Sequence, residues 1–173
     1  SANAAKAAKY GLLSQNMHTA IAITEFMNDN TQSVGNRRWF LYPATQYMGF
    51  GCTDNKNVLW CVNENKDWDT SQYVNNGIAW PPAGYSPRMF AFKNWSYSAY
   101  QNFEGASVTL TKVSTGTNIP CKVFGQVSGY GMPTLVWQPE VLIRKSRDDE
   151  SYRVSIKLKS GKSVSYVVKL IGI

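Results

Sequence analysis

A single histidine, His18, serves the whole 173-residue chain. That scarcity argues against a metal centre built on paired histidines. The three cysteines, Cys52, Cys61 and Cys121, include no Cys-x-x-Cys pair, so a zinc ribbon has no ligands either, and no cofactor or metal is expected. No serine stands in Gly-x-Ser-x-Gly, and no Cys–His nucleophile pair is evident. The short glycine repeats Gly49-Phe50-Gly51 and Gly129-Tyr130-Gly131 lack a following helix, which fits bulges and turns better than phosphate cradles. No apolar run approaches the roughly 20 residues of a membrane-spanning helix, so no membrane span is expected. Acidic residues are few, 11 against 18 basic, for a net charge of +7. Such a balance suits an anionic partner. The cations are nonetheless scattered along the sequence, and the densest group, Arg144-Lys145-Ser146-Arg147, runs at once into Asp148-Asp149-Glu150. That pattern is a solvated turn rather than a phosphate-tracking stripe, and nucleic acid is not expected as a partner.

What the chain has is apolar and aromatic mass. Hydrophobic residues make up 43% and aromatics 13%, enough to pack a core and to exclude a disordered chain. The length suits one domain or two small ones. Residues 2–13, ANAAKAAKYGLL, favour helix, which Gly11 weakens. Ser14-Gln15-Asn16 reads as a break and N-cap. Residues 17–29 form a second helix, with Met17, Ala20, Ile21, Thr24 and Met27 on the helical period. Ile23 and Phe26 lie on another side, so this helix is expected to be buried between layers or covered by another helix.

Beyond the polar loop 29–33, beta-branched and aromatic runs bounded by Gly, Pro, Asn and Asp predict a strand meander. Its strands are Arg38–Tyr42, stopped by Pro43, then Tyr47–Thr53, then Val58–Val62. Residues 63–76 form a long polar loop anchored by Trp68 and Tyr73. Trp80-Pro81-Pro82 cannot be central strand or helix, and a domain boundary falls near residues 85–88. From Met89 onward the pattern is all strand. Candidates are 90–92, 96–100, 107–113, 121–127, 134–138, 152–159 and 164–171, where Val154, Ile156 and Leu158 alternate with polar neighbours. This count and spacing predict an immunoglobulin-like sandwich.

With Lys56-Asn57 as a two-residue hairpin turn, Cys52 and Cys61 would sit opposite each other, within reach of a disulfide. Such a bridge fits an oxidising, extracellular setting and leaves Cys121 as a free thiol.

Four segments together resemble a known family: GNRRWFLYP, MGFGCT, LWCVN and AWPPAGYSP. They are similar to bacterial and protist members of the CAP superfamily, the cysteine-rich secretory, antigen and pathogenesis-related proteins. The corresponding stretch there reads Gly-His-Arg-Arg-Trp, then Asn-Pro or Tyr-Pro, then Gly-Phe-Gly. The resemblance implies an α+β protein. Residues 1–85 would be the second half of a CAP-like domain, two helices plus the strand meander. Residues 86–173 would be the β-sandwich.

It also implies a cleft that holds a tetrad of two His and two Glu. Asn36 stands where the family has its Gly-His histidine, and a neutral amide cannot shuttle protons. A first helix with another His and a Glu would precede residue 1. Glu25 lies in the region that lines the family cleft. His18 reads either as a base with Glu25 two helical turns on, or as a capping residue near a helix start. The six tryptophans exceed one small core. They form either a sugar- or lipid-facing platform or an interface between the two regions, with Trp80 and Trp95 near the boundary.

The expected function is a secreted or cell-envelope binding module without catalysis, its ligand a glycan, a lipid or a protein. The ligand-facing set would be His18, Glu25, Asn36, Trp39, Trp68 and Trp80. The alternatives are a hydrolase acting on peptide or glycan through the cleft, and a structural part of a larger surface protein. Without the family's first segment, an apolar patch would be left bare. Self-association would then follow, or packing of residues 1–30 across the sandwich.

Overall fold

The structure is a computed structural model that describes residues 2–15, 19–61, 77–129, 131–141, 143 and 148–172. His18, Trp68, the loop 63–76 and the cationic group 144–147 lie outside the described residues. The fold is α+β, and the chain divides into two compact units, residues 1–29 with 35–75, and residues 30–34 with 76–173.

In the first unit the alanine-rich start forms α1, Ala2–Tyr10. Gly11 ends it, with its N–H on the Ala7 carbonyl at 2.8 Å. A Cβ at Gly11 would stand 2.5 Å from the Val58 side chain, so glycine is required where the chain turns against its neighbour. Where the sequence predicts a break, strand β1, Leu12–Gln15, follows. Next come α2, Thr19–Asn28, and α3, Gly35–Phe40. Strands β2, Gly49–Cys52, and β3, Lys56–Trp60, complete an antiparallel sheet of order β1-β3-β2. On α2, Ala22 and Phe26 pack onto Leu59 and Cys61, with Leu12, Trp39 and Phe40 around them, while Ile21 and Ile23 are exposed, so the helix is covered on one face and not all round as expected.

Two predictions for this unit are corrected. Arg38–Tyr42 is not a strand, since Arg38, Trp39 and Phe40 belong to α3. Contacts of Asn36 and Arg37 with Asp29 and with the end of α2, described below, override the β preference of its aromatic residues. Cys52 and Cys61 do not face each other either. The two-residue turn falls at Asp54-Asn55, two residues earlier than Lys56-Asn57: the Thr53 N–H bonds the Lys56 carbonyl, and Cys52 stands opposite Asn57. Cys52, Cys61 and Cys121 are all free thiols.

The second unit begins with β4, Ile78–Trp80, and β5, Gly84–Pro87. A 3-10 turn, Arg88–Phe90, follows. Then come β6 (Trp95–Ser98), β7 (Ser107–Lys112), β8 (Asn118–Ile119) and β9 (Cys121–Val127). The last three strands are β10, Thr134–Pro139, β11, Glu150–Lys157, and β12, Ser163–Ile171. They form two sheets, β4-β6-β10-β9 and β5-β12-β11-β7-β8. All ladders are antiparallel except that of β5 with β12. Residues 78–87 therefore group with the second unit, because β4 pairs with β6 and β5 with β12. Trp80 lies on an edge strand, consistent with the two prolines that follow it.

Both sheets contribute to one core. Trp95, Tyr97, Leu135 and Trp137 come from one, and Leu110, Tyr152, Val154, Ile156, Val168 and Leu170 from the other. Trp95 touches Trp137 and stands edge-on to Tyr152, at 6.5 and 6.4 Å between ring centroids. Arg88 is buried, and its guanidinium donates to the carbonyls of Ile143, Leu170 and Asp148. It thereby ties the 3-10 turn to the end of β12 and to Ile143 and Asp148.

Candidate functional site

The GNRRW segment is held by charge at both helix ends. A helix leaves its last carbonyls and first N–H groups without internal partners. At the end of α2 the Arg37 guanidinium supplies those partners, with Nε on the Met27 carbonyl at 2.6 Å and Nη2 on the Asn28 carbonyl at 3.3 Å. At the start of α3 the Asp29 carboxylate accepts the Asn36 backbone N–H at 2.7 Å. A cation at a C-terminus and an anion at an N-terminus both meet the favourable end of the helix dipole. Arg37 is 1% exposed. Burial pulls its pKa down to about 10 and Asp29 pulls it back up, so it stays charged at neutral pH. Val34, just ahead of α3, holds a φ of 42°, which a β-branched residue adopts only when its surroundings impose it.

The residues that the sequence singles out have several roles. Glu25 is half-buried on α2, and its backbone carbonyl accepts the Asp29 N–H at 3.2 Å. Asn36 is half-buried, with its backbone fixed by Asp29. Trp39 packs against the core of the first unit and stands edge-on to Tyr42 at 6.1 Å. Since α2 packs on α3, these three lie on adjoining elements. Trp80 belongs to the second unit, where its indole N–H donates to the Phe90 carbonyl at 3.1 Å and its ring stacks on Phe92 at 6.0 Å. Trp80 therefore has a packing role there, as Trp39 does in the first unit.

Burial pushes the Cys61 thiol up to about 11. Burial, with Glu140 adding to it, does the same for Cys121. Neither is a thiolate nucleophile at neutral pH. Among the described residues no group of three or more His, Cys, Asp or Glu is placed to hold a metal ion.

The sequence reading missed where the exposed apolar side chains gather. Tyr47 is 78% exposed, Met48 48% and Phe50 43%. They precede and enter β2, which lies at an edge of its sheet. The run Tyr47–Thr53 was legible as a strand, but its edge position depends on the order in which strands pair. That order is not written in the run itself.

The class that the fold defines is an α+β protein with two β-rich units. No family model and no curated protein matches the chain. Among solved structures it is similar to the secreted serine protease VesC from Vibrio cholerae, at a TM-score of 0.27 and 10% identity, over 72% of this chain. The chain spans 28% of that protein's length, and the likeness is too slight to bear on fold or activity.

Proposed function

We propose that this chain is a non-catalytic binding module of the CAP type, secreted or held at the cell envelope. Residues 35–61 would carry the binding part, and an immunoglobulin-like sandwich would follow. The observation that carries the binding reading is the apolar edge formed by Tyr47, Met48 and Phe50, all exposed on or beside one edge strand. Apolar side chains grouped at one exposed edge mark an interaction surface. An edge strand adds backbone donors and acceptors to it. The immunoglobulin-like reading is supported by two sheets over one core and by the early strand β5 running parallel to the last strand β12. Asn36 at the position of the family histidine supports a role without catalysis.

Co-sedimentation with chitin, with phosphatidylcholine vesicles and with collagen fibrils tests the three ligand classes. At least one should capture the protein. The Tyr47→Ser/Phe50→Ser variant should bind it at least tenfold more weakly with an unchanged circular dichroism spectrum. Equal capture of both proteins, or of neither, would refute the reading. Hydrolysis of a peptide or glycan by the chain would favour a hydrolase.

A further inference from the structure

The alternation along β11 and β12 buries one set of side chains and turns the other outward. Tyr152, Val154 and Ile156 are in register with Val168, Tyr166 and Val164 on the core side. Ser151, Arg153, Ser155 and Lys157 are in register with Lys169, Val167, Ser165 and Ser163 on the outer side. Arg153, Lys157 and Lys169 are exposed there, and Lys159 and Lys162 are exposed at the turn between the two strands. Cations that are dispersed in the sequence thus gather on one hairpin. The neighbouring strand β7 extends the outer face with Ser107, Thr109 and Thr111.

Two acidic side chains near the strands are engaged elsewhere, and exposed Glu104 borders only the turn end of the hairpin. Glu150 is in register with buried Leu170 and holds Lys112 at 2.6 Å. Asp149 accepts the Gly172 N–H at 2.8 Å. At the turn, Lys159 and Lys162 border a shallow depression of about 570 Å³ whose rim includes Gln101, Asn102 and Glu104.

We propose that this face of the second unit binds an acidic polysaccharide laid along the β11–β12 hairpin. The cations would meet its carboxylate or sulfate groups, and the serine and threonine hydroxyls its sugar hydroxyls. Strand geometry puts Arg153 and Lys157 about 13 Å apart, and Lys169 about 8 Å beyond Arg153. Nucleic acid carries one charge per ~3.4 Å of each strand, far denser than this row, so a polymer with sparser charge fits better. Continuous stacking rings, the usual platform for single strands, are missing from the described part of the face. Tyr85 is exposed, with Lys169 lying over its ring at 4.9 Å. A bilayer would call for protruding apolar side chains, and the outward apolar residue of the hairpin, Val167, is half-buried.

Fluorescence polarisation with labelled oligogalacturonate and heparin oligosaccharides tests this. The full chain should bind at least one of them, with affinity falling as salt rises from 50 to 200 mM, roughly as expected for exposed charge pairs. A neutral oligosaccharide of equal length should not bind. The Arg153→Ser/Lys157→Ser/Lys169→Ser variant should lose at least tenfold, while Lys56→Ser/Lys93→Ser/Lys122→Ser, equal in net charge, should stay within twofold of the parent. Tyr47→Ser/Phe50→Ser should also leave this binding intact, which separates it from the edge in the first unit. Should the triple variant melt early, Arg153→Ser and Lys157→Ser alone should each lose a measurable part of the affinity. Equal loss in face and control variants would overturn the proposal. So would tighter binding to single-stranded DNA or phosphatidylserine vesicles with neither oligosaccharide bound.

Discussion

Arg37 and Asp29 show how a few atoms set local structure. Replacing Arg37 by Met leaves the Met27 and Asn28 carbonyls short of a donor, at a cost of about 1–3 kcal/mol. Asp29→Ala removes the partner of the Asn36 N–H and should cost about 1 kcal/mol. Urea melts followed by circular dichroism check both, and Asp29→Asn should recover part of the loss. The thiols give a second test. Native protein should react with iodoacetamide first at exposed Cys52, and more than tenfold later at buried Cys61. Denatured, unreduced protein should titrate as three free thiols. The folded Cys61 pKa, about 11, lies above its ordinary 9.0. Its contribution to stability is therefore full below pH 9 and is lost as pH rises through 11. Cys61→Ala should flatten the part of that decline due to this residue; Cys121 adds a decline in the same direction.

At the level of elements, strands of the second unit were the most legible part of the chain. Residues 121–127 form β9 as the pattern predicts, and β10, β11 and β12 fall within a residue or two of theirs. Period-two alternation with one face buried leaves little freedom. The first unit was less legible because α3 owes its helix to Asp29 and Arg37, and the pairing of β2 with β3 to a turn placed nearer Cys52. Among the candidate residues, Trp39 and Trp80 both make packing contacts within their own units. The cation row was visible only as half of an alternation, since Lys169 joins Arg153 through register rather than proximity in sequence. Tryptophans offer a direct test here. Trp137→Ala, in a fully buried ring, should cost about 3–5 kcal/mol. Trp80→Phe, which keeps a ring but loses the bond to Phe90, should cost about 1 kcal/mol. Chemical denaturation resolves the two.

The whole molecule has two cores of unequal size. Among the described residues, the second unit buries fifteen in one cluster and the first buries four. Opening is easiest where buried apolar contacts are few. Backbone amides of β2 and β3 should therefore exchange with deuterium well before those of β11 and β12, and mass spectrometry of peptic fragments would show the order.

The parallel pairing of β5 with β12 also governs timing. Gly84 finds Val168 and Pro87 finds Ile171, and β12 sits inside its sheet, between β5 and β11. During synthesis, at about 5–20 residues per second, β5 must wait for the whole of the intervening chain before its partner exists. Long-range pairings of this kind slow folding. A ribosome stalled after Lys162 would hold a nascent chain in which this sheet is unclosed, exposed to chaperones and proteases until β12 has emerged.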